Sequence, residues 1–545
     1  MNWLGPRIRT IELAVGAWLT LVLVAIHFTV ATHAGPLWRD EISSLRLATM
    51  PTFRAFWSSL IFDPCPAFYF LLLRCWSMVG LAGTDSNLRL LGCLIGLTSI
   101  VALWWACWRM NRAVPLWPLL LFALNPIAFE FGDSLRAYGV AVIFIVLSFV
   151  AIWELSFRPL RVWTIVFAII VAILSVQTLT TNSLMLFAIC VAGLSICVWR
   201  RSWLRAALIL ATGGCAAVSL LIYLPIFRST KEWSMLCIEP TSYRIILTSY
   251  ARALGESGTL ISYSWLVMAV IGFVALIVPF LARSRGTKQG RECQIEFGAV
   301  VLIVATAALL IFFRKVGWPT SAWYFLPLMA VSTMSFHAIT NAFVKAQWTI
   351  LPAFASALLS LLIIPSIVAQ AYVRRTNADL VATAVAQMAT NQDLVLVSPY
   401  FYAVSFQRYY HGAAPWTALP SVNDYSLHRW DLLKRAMETP DAVANALGRA
   451  QATLDAGHTV YLVGGFPPGA ASPPPSLGPA PSSPAAWSFQ AYVRNWGQQA
   501  SYVVHQHATN AVYFQMRASA PVSPLECLRV LAVSGRKSDP LASAK

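Results

Sequence analysis

Three acidic clusters hold the residues able to do chemistry in a chain that is otherwise mostly apolar. The first, LWRDEISSL at 37–45, sets Asp40 beside Glu41 directly after a long apolar run. Adjacent carboxylates at the edge of lipid are costly unless paired or used, and one of them could take a proton from a hydroxyl. The same residues also read as helix ends, with Asp40 as N-cap of a short helix over 41–49 that Pro51 ends, and Glu41 as a favourable first-turn acid. The second cluster, FDPCPAFYF at 62–70, places Asp63 in a turn bracketed by Pro64 and Pro66, ahead of Tyr69 and a further apolar segment. The third, EFGDSLRAY at 130–138, supplies Glu130, Asp133, Arg136 and Tyr138 just after Asn125-Pro126. Asp133 and Arg136 have the spacing of a helix-end ion pair.

The elements that must position these residues are membrane spans. Of 545 residues, 58% are hydrophobic and 11% charged, less than half the charge of an ordinary soluble domain, about 25%. The mean hydropathy is +0.65. Apolar stretches of spanning length recur from Gly16 to Tyr372, which excludes a disordered chain, a collagen or a small disulfide scaffold. The net charge of +17 reads as cytoplasmic anchoring charge rather than a nucleic-acid surface, so no nucleic-acid partner is expected. Ten cysteines contain no C-x-x-C pair, and Cys75, Cys93, Cys107, Cys190, Cys197 and Cys215 lie inside apolar runs as small hydrophobes.

The run from about 12 to 31 follows Arg7 and Arg9 and is too long for a signal-peptide core, so it reads as an uncleaved first span with a cytoplasmic N-terminus. Further spans are expected at 88–108, 114–129, 137–157, 162–178, 183–199, 206–226, 261–282, 297–313, 323–342 and 349–371. The segment 66–82 carries Arg74 and Ser77 in its middle. Laid flat on the outer surface, it lets one side collect Arg109 and Arg112, Arg158 and Arg161, Arg200, Arg201 and Arg205, then Arg283, Arg285, Lys288 and Arg291, and Lys345. Tryptophans at 104, 105, 108, 117, 199 and 203 flank those basic loops as an interfacial belt. The expected fold class is therefore an α-helical polytopic membrane protein of about eleven transmembrane helices plus juxtamembrane helices. The expected setting is a plasma (inner) membrane with the C-terminal tail extracytoplasmic.

The tail from about Val373 changes composition, holding 13 of the Lys and Arg and 9 of the Asp and Glu. It reads as a small extracytoplasmic α/β domain over 373–545, after a membrane module at 1–372 whose first outer loop is 32–87. Strands are expected at 393–398 and 459–465, a helix at 378–390, and late elements at 491–497 and 512–517. Residues 466–486 form a Pro/Ser/Ala/Gly-rich loop. His505-x-His507 falls on an expected strand and is too sparse for a metal site, and His337 within a span reads as a packed residue.

Taken together, the clusters resemble the GT-C superfamily of integral-membrane glycosyltransferases, which includes protein O-mannosyltransferases and lipid A aminoarabinose transferases. LWRDEISSL is similar to that family's acidic motif in the first extracytoplasmic loop, with Asp40 and Glu41 at the motif positions. Asp63 to Phe70 line up with the D-x-H-P-P-L-Y-Y pattern, matching at Asp63, Pro66 and Tyr69, with Cys65 where His is usual and Ala67 for the second Pro. Residues 134–138 resemble E-x-R-x-Y, with Ser134 at the acidic position and Asp133 or Glu130 as substitutes. GWPTSAWYFLP at 317–327 resembles R-Y-L-x-P loosely, with Trp323 for Arg.

The resemblance implies inverting transfer of a sugar from a polyprenyl-phosphate donor to an extracytoplasmic acceptor, whether lipid, glycan or protein. It implies Asp40 as base with Glu41 binding the acceptor or supporting Asp40, Asp63, Tyr69, Glu130 and Asp133 in substrate positioning, and Arg136 with Tyr138 on the donor's phosphate or sugar. Arg314 and Lys315, which break the positive-inside pattern, read as headgroup contacts or as phosphate ligands. Relatives differ in their use of a divalent cation. The sequence holds no compact ligand cluster, so no metal site is expected and a divalent cation is at most optional. Two other readings are open: a lipid-carrier transporter or flippase, and a polyprenyl-linked glycan ligase using Arg228, Lys231, Arg244 and Arg252. A disulfide between Cys65 and Cys237 would require their proximity.

Overall fold

The computed structural model describes residues 4–63, 65–230, 241–281, 290–317, 320–343, 350–467, 472–475, 477–480, 489–514, 516 and 518–535. They fall into two compact units. One comprises Met1–Thr32, Cys65–Pro225 and Thr241–Tyr372, and the other His33–Pro64, Ile226–Pro240 and Val373–Lys545.

The first unit is a multi-pass helical membrane bundle. Among the described residues eight helices are long and apolar enough to span, and the bent pair Tyr243–Gly255 and Thr259–Val274 brings the number to nine. These account for nine of the eleven expected stretches. Of the other two, Val162–Thr178 is a single apolar helix of 17 residues. The stretch 114–129 is broken, a π-helical segment Pro118–Ala123 giving way at Asn125 to the short helix Pro126–Gly132. Pro126 lacks the N–H that would continue the first helix, and Asn125 caps the second by accepting from the Ile127 N–H at 2.9 Å. The helix Tyr138–Phe157 lies at the centre, with 83% of its apolar window buried. The segment expected to lie flat forms the helix Phe68–Met78, whose 11 residues rise about 16 Å, half of what a span needs.

The expected basic loops converge at one end of this bundle. Arg9 donates to the Arg112 carbonyl at 2.5 Å and pairs with Glu12 at 3.5 Å. Arg109 pairs with Glu154 at 2.6 Å, Arg158 donates to the Met110 carbonyl, and Arg205 donates to the carbonyls of Leu155 and Arg158 at 2.7 Å each. The guanidiniums of Arg9, Arg158 and Arg205 thus satisfy carbonyls at a helix C-terminus, where the dipole favours positive charge. Arg283, Arg285, Lys288 and Lys345 lie outside the described residues.

The second unit is built on a mixed five-stranded sheet: β1 Leu394–Ser398, β2 Trp416–Ala418, β3 Thr459–Gly464, β4 Ala508–Phe514 and β5 Val530–Gly535, in the order β2-β1-β3-β5-β4. β2, β1 and β3 run parallel, while β5 is antiparallel to both β3 and β4. β1 is buried at all five positions, as expected of an inner strand covered on both faces. Both strands and the helix expected earliest in the tail are present, the last as Ala378–Met388. Residues 491–497 lie within the helix Phe489–His507. His505 and His507 therefore end a helix rather than occupy a strand, and His507 bonds Asp455 at 2.7 Å. The described parts of 466–486 contain neither helix nor strand.

Candidate active site

The first acidic cluster begins a ten-residue helix, Arg39–Ala48. Asp40 is not its cap. The cap position is Trp38, and Glu41, three residues on, reaches back to accept the Trp38 N–H at 3.2 Å. Glu41 is fully buried and thus serves the helix start, the half of a capping box that an acid at this position supplies.

The start of this helix is held from the C-terminal sequence. Arg39 donates to the Leu525 carbonyl at 3.0 Å and to the Glu526 carboxylate at 3.1 Å, and its guanidinium lies over the rings of Trp38, Phe401 and Tyr402. Burial works against the Arg39 charge, but Asp40 and Glu526 outweigh it and hold its pKa above the ordinary arginine value. One turn earlier the Leu37 N–H donates to the Tyr409 hydroxyl at 2.8 Å, and the Arg375 N–H to the Ala34 carbonyl at 2.8 Å. Asp40 itself accepts from Nε2 of His428 at 3.0 Å, with Arg39 Nε 3.7 Å from the same oxygen. Its side chain keeps 27% exposure. Asp63, which ends the turn Leu60–Phe62, is buried, and Arg429 lies over the neighbouring Phe62 ring at 4.7 Å. Of Asp40, Glu41 and Asp63, Asp40 alone keeps part of its side chain exposed.

The second acidic loop belongs to the membrane unit. Asp133 is buried and shares a 2.6 Å hydrogen bond with His27 of the first span. The glycines of Gly92-x-x-x-Gly96 make room for it: a Cβ at Gly92 would overlap the Asp133 carbonyl, and one at Gly96 would overlap both the Asp133 carboxylate and the His27 ring. The adjoining cavity, lined by His27, Gly96, Phe122, Gly132 and Val142 among others, has room for roughly one water. Glu130 and Arg136 are half-buried and Tyr138 buried. Glu130 lies within electrostatic reach of Glu256. Next to Glu130, Phe131 packs on Trp323 at 4.5 Å, which joins the segment 317–327 to this loop.

Tyr69 is fully buried in the helix Phe68–Met78. Just before that helix, the Ala67 N–H donates to the Tyr223 hydroxyl at 3.0 Å, which in turn donates to Gln177 at 2.7 Å. Arg314 and Lys315 are exposed in the last turn of Gly290–Val316, where the helix dipole favours them. Arg228, Arg244 and Arg252 are exposed, whereas Lys231 and Cys237 lie outside the described residues. Among the described residues no group of three or more His, Cys, Asp or Glu converges as a metal site, and no step is derived through a metal. His27 and His428 were missed by sequence reasoning.

Fold and site together define a multi-pass helical membrane protein with an α/β domain that grips the acidic first loop. No protein-family model and no curated protein matches the sequence. Among solved structures the chain is similar to ArnT from Cupriavidus metallidurans bound to undecaprenyl phosphate, at 14% identity and TM-score 0.44 over 82% of this chain and 92% of that one. It is similar to the same protein in the apo state at 12% identity and TM-score 0.37, over 96% and 98% of the two chains. It is also similar to the Archaeoglobus fulgidus oligosaccharyltransferase in complex with Zn and sulfate, at 12% identity and TM-score 0.45 over 82% and 67%.

Proposed function

We propose that the protein is an inverting glycosyltransferase that moves a sugar from a polyprenyl-phosphate donor to an extracytoplasmic acceptor. The observation that carries this reading is the state of Asp40, a half-exposed carboxylate at the start of a firmly anchored helix, while Glu41 and Asp63 beside it in sequence are buried. Asp40 takes the proton from an acceptor hydroxyl as that oxygen bonds to the anomeric carbon. The bond from that carbon to the phosphate oxygen breaks, and its electron pair leaves with the polyprenyl phosphate. A phosphate needs no acid to depart, only positive charge and hydrogen-bond donors. Arg136 and Tyr138 are assigned to that task, with Arg314 and Lys315 as further cations for the donor. Asp63, Tyr69, Glu130 and Asp133 are assigned to holding the substrates in place, Asp133 through its bond to His27. Glu41 supports Asp40 by fixing the first turn of its helix.

The plasma membrane, with the arginine-rich bundle end cytoplasmic, is the proposed location, because the transferase reading requires Asp40 on the side that lacks nucleotide sugars. The membrane module is assigned to 1–372 and the extracytoplasmic domain to 373–545.

The test is transfer of radiolabelled sugar from undecaprenyl-phosphate donors by membranes holding wild type or Asp40→Asn, with label followed into lipid, glycan and protein fractions. Wild type should transfer, and the variant should lose on the order of 100-fold or more, the usual worth of a general base. Full transfer by folded Asp40→Asn removes Asp40 as the base. A parallel assay in chelator reads any need for a divalent cation.

A further inference from the structure

We propose that His428, from the C-terminal domain, is the positioning residue for Asp40, so that the domain supplies part of the transfer machinery itself. The inference rests on the reading of Asp40 as base.

The geometry is specific. His428 Nε2 lies 3.0 Å from Asp40 Oδ1, across 388 residues of sequence. An ionised carboxylate can only accept, so Nε2 carries the hydrogen of this bond. The imidazole side chain is 11% exposed against 27% for the carboxylate, which places the ring behind Asp40 and leaves the acid as the reachable partner. Nδ1 of His428 is buried with no hydrogen-bond partner among the described residues. The ring's contribution to Asp40 therefore runs through Nε2.

The ring cannot swing away freely. It stacks on Trp430 at 5.9 Å and 24°, and Trp430 is itself wedged edge-on between Tyr400 and Phe489. On its far side in sequence, Arg429 is clamped to Asp424 at 2.6 Å and to Asp431 at 2.8 Å, which locks the backbone that presents His428. A base performs best when its rotamer is fixed before the substrate arrives, and here an aromatic wall and a buried donor fix it. Arg39 Nε lies 3.7 Å from the same Oδ1, beyond hydrogen-bond reach, and adds an electrostatic attraction to the bond from His428.

The experiment compares His428→Leu, which keeps apolar volume and loses the donor, with His428→Gln, whose amide restores an N–H at about the reach of Nε2. The full-length protein in lipid nanodiscs is assayed with radiolabelled undecaprenyl-phosphate sugars at saturating donor, beside Asp40→Asn. His428→Leu should lose roughly 10- to 100-fold in transfer rate, the worth of one hydrogen bond to a charged group. His428→Gln should recover most of the rate, and KM for the donor should stay near wild type in both. Wild-type transfer by His428→Leu overturns the proposal, as does equal loss in Leu and Gln variants of equal melting temperature. His428→Phe replaces the Leu variant if that one does not fold. Transfer retained by Asp40→Asn overturns the reading of the base instead. Histidine 15N spectra read the pair without substrate: the resonance absent from His428→Gln should shift in Asp40→Asn, and a resonance indifferent to Asp40 also overturns the proposal.

Discussion

Asp133 and His27 share a hydrogen bond inside the bundle, and the cost of separating them is predictable. Removing one partner takes a buried hydrogen bond from the other, which costs about 1–3 kcal/mol. Asp133→Leu and His27→Leu should each lower the unfolding midpoint of the detergent-solubilised protein, and the double variant should be less destabilised than their sum. Gly96→Val should act like either, since its side chain would occupy the space of both groups. Asp424 sets a pH dependence. Burial pushes its carboxyl up, but hydrogen bonds from Ser426 and Arg429 outweigh this and hold it below its ordinary value. A depressed carboxyl stabilises the fold above its unfolded pKa and loses that contribution as pH falls through the folded one. The melting-temperature gap between wild type and Asp424→Asn should thus hold above about pH 5 and close below about pH 4. Asp40 and Glu41 could be singled out from type and position alone. His27 and His428 could not, because their partners stand 106 and 388 residues away and no local pattern marks either.

The helix Arg39–Ala48 shows how one element can be recognised while its working parts are misassigned. Its existence followed from the acidic start and the proline that ends it, but the cap role fell to Glu41 and left Asp40 available. Glu41→Ala should therefore lower both stability, by about 1 kcal/mol, and transfer, measured together by thermal unfolding and the radiolabel assay. Long apolar helices were readable because 20 or so apolar residues permit little else in lipid. The broken stretch at 114–129 was harder, since its apolar count is that of a span and only Asn125-Pro126 marks the break. In the tail, the fully buried β1 stood out as an apolar run, whereas β2 has three residues and β5 is buried only at Val530 and Val533.

The unit that joins His33–Pro64 to Val373–Lys545 makes the first loop and the last domain one folded object. A chain truncated after Tyr372 should still insert its spans but leave the loop unheld. A cysteine placed at Leu37, buried and bonded through its backbone to Tyr409, should then react rapidly with a water-soluble maleimide while the full-length variant stays protected. The same arrangement sets a timetable for biogenesis. Arg39 and its partner Glu526 are 487 residues apart, and at roughly 5–20 residues per second the ribosome makes the second about 25–100 s after the first. Throughout that interval Arg39 is made and its anchor does not yet exist. A nascent chain that has not reached Glu526 would therefore carry Asp40 without this grip on its neighbour Arg39.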